Sequence, residues 1–247
     1  MLLTRRALAE LVGSALLLIA VIGSGIAAER LSPGDTGLQL LENAAATAVA
    51  LVAIILAVGA VSGAHLNPVV TLVDRLLGGL DTTTAAAYVG AQLVGASAGA
   101  VVANLMFDLP AIDWSTTERS GGGLWLGEVI ATLGLVLVVF GTVRSGRTSA
   151  VPFAVGAYIG GAYFFTSSTS FANPAVTLAR TLSDTFAGID PASVPAFVLA
   201  QVIGGVAGLL LVGVLYPDIM HAAGDVVLPH EHRADGPERP SSRSVSA

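Results

Sequence analysis

The chain of 247 residues contains no cysteine. Disulfides, thiolate nucleophiles and Cys-ligated metal sites are thereby excluded. Lysine is missing too, so all eleven basic residues are arginine. Only 11% of residues are charged, against about a quarter in a soluble domain. The net charge of −6 is spread over loops and tail, with no basic patch that would seat a nucleic acid. No metal-ligand cluster, nucleophile elbow or cofactor motif stands in the sequence, which argues against an enzyme and against a cofactor. What remains is apolar: 54% hydrophobic residues and a mean hydropathy of +0.80. This is the composition of an integral membrane protein.

Six apolar runs, at about 7–28, 43–62, 85–107, 124–143, 150–169 and 195–216, approach the roughly 20 residues that a spanning helix needs. The fifth is the weakest, because it ends in the polar stretch 166–170. Barrel strands are far shorter, so helices are expected. The first run has Arg5, Arg6 and a small-residue stretch ending at Ala28, like a signal peptide. Its apolar part exceeds an h-region of about 7–15 residues, and it has a counterpart later in the chain. It is therefore read as a span. Six spans put both termini on one side. Eight arginines fall on that side, and Arg30, Arg119 and Arg180 on the other. That bias points to cytoplasmic termini in the cell (inner) membrane. Residues 1–220 form the membrane domain, and 221–247 read as a disordered cytoplasmic tail.

The chain repeats itself. Residues 64–72 read Ala-His-Leu-Asn-Pro-Val-Val-Thr-Leu, and 171–178 read Phe-Ala-Asn-Pro-Ala-Val-Thr-Leu. The stretch from Glu10 to Leu17 resembles that from Glu128 to Leu135, and Ala87–Gly95 resembles Ala196–Gly204. The offsets are 118 for the Glu pair, 106 for the Asn pair and 109 for the Gln pair. Each half, about 5–108 and 122–217, holds three spans. An odd number inverts the second half, giving a pseudo-two-fold axis in the membrane plane. In each box Asn caps a helix and Pro takes its first position, where a missing N–H costs nothing. The segments after them, 68–78 and 174–183, are about 15 Å long, half a hydrocarbon core. Two re-entrant half-helices thus enter from opposite faces. Their positive dipole ends meet near the midplane.

With these residues in hand, the chain resembles the aquaporin and aquaglyceroporin channels over about residues 5–217. The match rests on Ser62–Pro68, Asn173–Ala175, Glu10 and Glu128, and the bacterial subgroup associated with arsenic resistance is the nearest in pattern. The resemblance implies an hourglass of six helices and two half-helices, a homotetramer in the lipid bilayer, and passive flow of small neutral solutes and water. It implies a pore constriction at Asn67, Pro68, Val69, Asn173, Pro174 and Ala175. It also gives Glu10 and Glu128 the role of bracing the re-entrant loops. Their rival role is proton coupling in a transporter, which their symmetric placement disfavours.

The departures from the family concern selectivity. An Arg normally follows the second Asn by three residues; here that position is Val176. The other filter positions correspond to Thr47, Ser170 and either Tyr163 or Gly161, with Tyr163 preferred. A filter of Thr47, Tyr163, Ser170 and Val176 is wider and less charged than a water filter. It implies passage of glycerol, urea, or arsenite and antimonite as neutral hydroxides, with some water. A water-selective channel, a proton-coupled transporter and a closed structural protein are the alternatives.

Several residues have blander readings. His65 is read as pore wall or loop brace rather than gate. Arg180 is read as solvated or interfacial rather than a replacement for the absent Arg. Asp74 and Arg75 are expected to pair or snorkel. His221, His230 and His232 suggest no metal site. Gly95, Gly99, Gly204 and Gly208 have the spacing of close helix crossings.

Overall fold

A computed structural model describes residues 2–217. The tail at 221–247 and its three histidines lie outside the described residues. Eight α-helices run in the order α1 (Leu3–Leu31), α2 (Thr36–Ser62), α3 (Pro68–Leu76), α4 (Thr82–Met106), α5 (Gly122–Arg144), α6 (Val151–Phe165), α7 (Pro174–Ala179) and α8 (Val194–Leu215). Six of these segments are long and apolar enough to cross a membrane. The fifth is the weakest, as its sequence indicates: 18 residues from Thr148 to Phe165, with hydropathy 1.2.

The two halves pack alike. In the first half, α1 crosses α4; in the second, α5 crosses α8. Small residues set both crossings. A Cβ at Gly95 or Gly99 would run into the carbonyls of Leu11 and Ala15, and one at Gly204 into that of Val129. At Gly208 it would lie 2.8 Å from the Val136 Cβ. Without a hydrophobic drive between helices in lipid, such backbone approach is how they gain contact.

The half-helices are shorter than the sequence reading gave. α3 ends at Leu76, where the chain turns through Gly78 at φ 87°. α7 keeps only six α-helical residues before tightening into a 3₁₀ turn at Arg180–Leu182. There the chain is held by the loop that follows α4: Ser115 N–H donates to the Thr181 carbonyl at 2.9 Å, and Asp113 N–H to that of Leu182 at 3.1 Å.

The crossing glycines carry a direct test. Gly99→Ala is expected to lower stability by about 1–3 kcal/mol, read as a lower melting temperature in detergent. Gly90→Ala, which meets nothing within 4 Å, leaves it unchanged.

Candidate functional site

The loops that lead into α3 and α7 have no regular backbone to satisfy them. Ala64 and Leu66 in the first, and Thr169, Ser170 and Ala172 in the second, all have φ between 50° and 61°. A left-handed non-glycine residue costs about 1–3 kcal/mol. Such a backbone persists only where its surroundings over-determine it, and here two carboxylates do so. Glu10 accepts from His65 N–H at 3.0 Å and Ser62 Oγ–H at 2.6 Å on one oxygen. Its other oxygen accepts from Leu66 N–H and the Gln92 amide, both at 2.7 Å. Glu128 accepts from Phe171 N–H at 2.9 Å, Ala172 N–H at 2.8 Å and the Gln201 amide at 2.6 Å. Both glutamates are fully buried.

Each glutamine ties its glutamate to a half-helix. Gln92 also donates to Thr71 Oγ1 at 2.9 Å, and Gln201 to Thr177 Oγ1 at 2.8 Å. Sequence reasoning used these glutamines only as markers of the repeat. Their signal was an amide side chain inside an otherwise apolar run, a costly group unless bonded.

The asparagines link the two halves. Asn67 Oδ1 accepts from Val69 N–H at 2.9 Å, and Asn173 Oδ1 from the N–H groups of Ala175 and Val176 at 3.0 and 3.3 Å. These are cap bonds. Each side-chain amide then reaches across the pseudo-two-fold. Asn67 Nδ2 donates to the Ala172 carbonyl and Asn173 Nδ2 to the Leu66 carbonyl, both at 2.7 Å. An amide nitrogen carries two hydrogens, so each asparagine keeps one that these cross-loop bonds do not use.

A cavity of about 730 Å³ runs beside them. It extends from Thr148 and Ser149 on the terminal side, past His65, Asn67 and Asn173, to Thr47, Tyr163, Ser170, Val176 and Arg180 on the far side. All four positions that the resemblance assigns to a filter thus line one cavity. Tyr163 Oη donates to Thr47 Oγ1 at 3.2 Å. Ser170 Oγ is buried without a partner. Gly161, the other choice on α6, is exposed and does not line the cavity.

Some residues sit elsewhere than the sequence reading put them. Pro68, Val69, Pro174 and Ala175 do not line the cavity; they start the half-helices behind its wall, and of the six constriction residues only Asn67 and Asn173 reach it. Asp74 does not pair with Arg75. It is buried with Asp74 Oδ2 3.5 Å from His65 Nε2, while Arg75 donates to Thr82 Oγ1 at 3.0 Å. His65 Nδ1 lies 3.1 Å from Thr71 Oγ1, so this ring both braces the loop and faces the cavity. Arg180 is neither solvated nor interfacial: it is 3% exposed and lines the cavity. Its guanidinium stacks 3.5 Å from the centre of the Phe171 ring, and its Nε–H donates to the Ala187 carbonyl.

The Major intrinsic protein family model matches residues 1–170 and 147–236. The chain belongs to the major intrinsic protein family. It is therefore a multi-pass membrane channel for small solutes and not an enzyme. Among members of the family, "Aquaglyceroporin AqpS" of Rhizobium meliloti is 50% identical over 209 residues, covering 85% of this chain and 89% of that one. "Probable aquaporin NIP7-1" of Arabidopsis thaliana is 29% identical, covering 83% and 74%. The solved aquaglyceroporin from Plasmodium falciparum superposes with a TM-score of 0.70 at 22% identity, covering 88% of this chain and 99% of that one. It shares the fold of six spans and two half-helices.

The glutamate brace is testable by substitution. Glu128→Gln replaces one accepting oxygen by a donor facing N–H groups, so one or more buried donors lose their partner. A loss of about 1–3 kcal/mol is expected, seen as a lower melting temperature together with reduced solute flux. Glu10→Gln behaves alike by symmetry.

Proposed function

We propose that the chain is a passive channel for small uncharged polar solutes. Its cargo is glycerol, urea and the undissociated hydroxides of arsenic and antimony, with some water beside them. The observation that carries this reading is Val176 on the cavity wall, beside Thr47, Tyr163 and Ser170. Three side-chain hydroxyls and one apolar valine around the cavity suit a solute with both hydroxyl groups and a carbon or metalloid body. No guanidinium at Val176 narrows the bore there or demands a water-sized acceptor. The 50% identity to a protein named an aquaglyceroporin supports the same solute class.

Hydrogen bonding and charge govern passage in this reading. The asparagine amides offer donors at the midplane, and the N-termini of α3 and α7 bring positive half-dipoles there. A neutral solute exchanges water for these donors; a cation meets the dipoles. The glutamates take no part in coupling: neither lines the cavity, and their oxygens are engaged by loop N–H groups and glutamine amides. The proposal further places four copies together in the lipid of the inner membrane, with cytoplasmic termini and the far mouth outside.

Stopped-flow light scattering on proteoliposomes tests the reading. Glycerol, urea and arsenite should enter faster than into empty liposomes, with no dependence on a proton gradient. Val176→Arg should lose glycerol by about tenfold or more while keeping part of its water flux. Water flux without glycerol or arsenite flux in the wild type would contradict the proposal.

A further inference from the structure

Two arginines converge on one ring at the far mouth. Arg180 stacks on Phe171 with its Cζ 3.5 Å from the ring centre, and Arg119 approaches the same ring at 5.1 Å. Among the described residues no carboxylate forms an ion pair with either guanidinium. Backbone carbonyls hold them instead. Arg119 donates through Nε to Gly188 at 2.8 Å and through Nη2 to Phe186 at 3.3 Å, while Arg180 donates through Nε to Ala187. All three acceptors belong to the loop between α7 and α8. A buried cation without a paired anion is costly. Here an aromatic face and carbonyl oxygens offset part of that cost. Of the two, Arg180 lines the cavity and Arg119 does not.

Arg180 follows Val176 by four residues, one helical turn, so both present the same face. By helical rise the Arg180 Cα stands about 6 Å further along the axis than that of Val176. We infer that Arg180 is the charge-selective residue of this channel, and that size selection and charge selection occupy two successive tiers of the pore. The inner tier, Thr47, Tyr163, Ser170 and Val176, is neutral and sets the width. The outer tier, Arg180 fixed against Phe171 with Arg119 behind it, sets the charge. The outer tier lets the inner one be wide without admitting cations of the same size as the cargo. This inference rests on the cavity being the conducting path, as proposed above.

Urea and guanidinium test it, being planar solutes of nearly one size, the second a permanent cation. Wild-type proteoliposomes should take up urea and exclude guanidinium. Arg180→Gln should raise guanidinium uptake relative to urea uptake by about tenfold or more, since one unit charge a few ångström away governs the difference. Uptake of neither solute by the wild type would undo the proposed function. Urea uptake with unchanged guanidinium exclusion in the Gln variant would overturn the present inference alone, and assign charge selection to the asparagine dipoles. Arg180→Lys provides a second test should the Gln variant fail to fold. It makes the charge titratable, since a lysine loses its proton in an alkaline range where an arginine keeps its own. The other charged or titratable groups facing position 180 are Arg119, Glu128 on α5 and Tyr163 on α6, and all three are shared with the wild type. Guanidinium uptake that rises toward pH 10 in the Lys variant and not in the wild type supports the assignment. Equal pH profiles in the two proteins contradict it.

Discussion

A non-helical backbone at the centre of a membrane protein must find its hydrogen-bond partners inside the protein. Everything in this channel depends on how two short loops meet that constraint. The stretches before Asn67 and Asn173 turn through left-handed residues and leave N–H groups facing away from any helix ladder. Glu10 and Glu128 supply the acceptors from neighbouring spans. A charged acceptor strengthens each such bond to about 1.5–3 kcal/mol, enough to offset the local strain. The loops are then rigid, and rigidity is what allows their asparagines to be placed.

From that placement the rest follows. Each half-helix starts where its asparagine caps it, and each asparagine also bonds to the opposite loop. The two halves are thereby stitched together on the cavity wall. The glycine crossings of α1 with α4 and α5 with α8 bring Gln92 and Gln201 close enough to bridge glutamate and threonine. Packing in the lipid-facing frame and polar order in the pore wall are therefore one design, repeated with inversion.

Much of this was legible in the sequence, because a repeat shows itself as text. Asn-Pro at two positions, a Glu ahead of each and a Gln behind each gave the fold class and the meeting of the two half-helices. The identity of Val176 was equally plain. What stayed hidden depended on contacts between distant segments. Arg180 read as an interfacial residue because nothing local says that Phe171 will lie under it or that Ala187 will accept from it. Its spacing of four from Val176 was visible, yet spacing gives a face and not a depth. Asp74 likewise read as pairing with its neighbour Arg75 or snorkelling, when adjacent helical residues point apart and His65 stands opposite it instead.

The central claim is that the cavity beside Asn67 and Asn173 is the path taken by solute. The lack of cysteine makes this directly measurable, since a single introduced thiol is the only one present. Ser170→Cys removes no hydrogen bond from the buried Oγ and places sulfur on the cavity wall. Modification by a small thiosulfonate reagent should abolish glycerol flux, and glycerol should slow the modification. Full labelling at that position with unchanged glycerol flux would contradict the account.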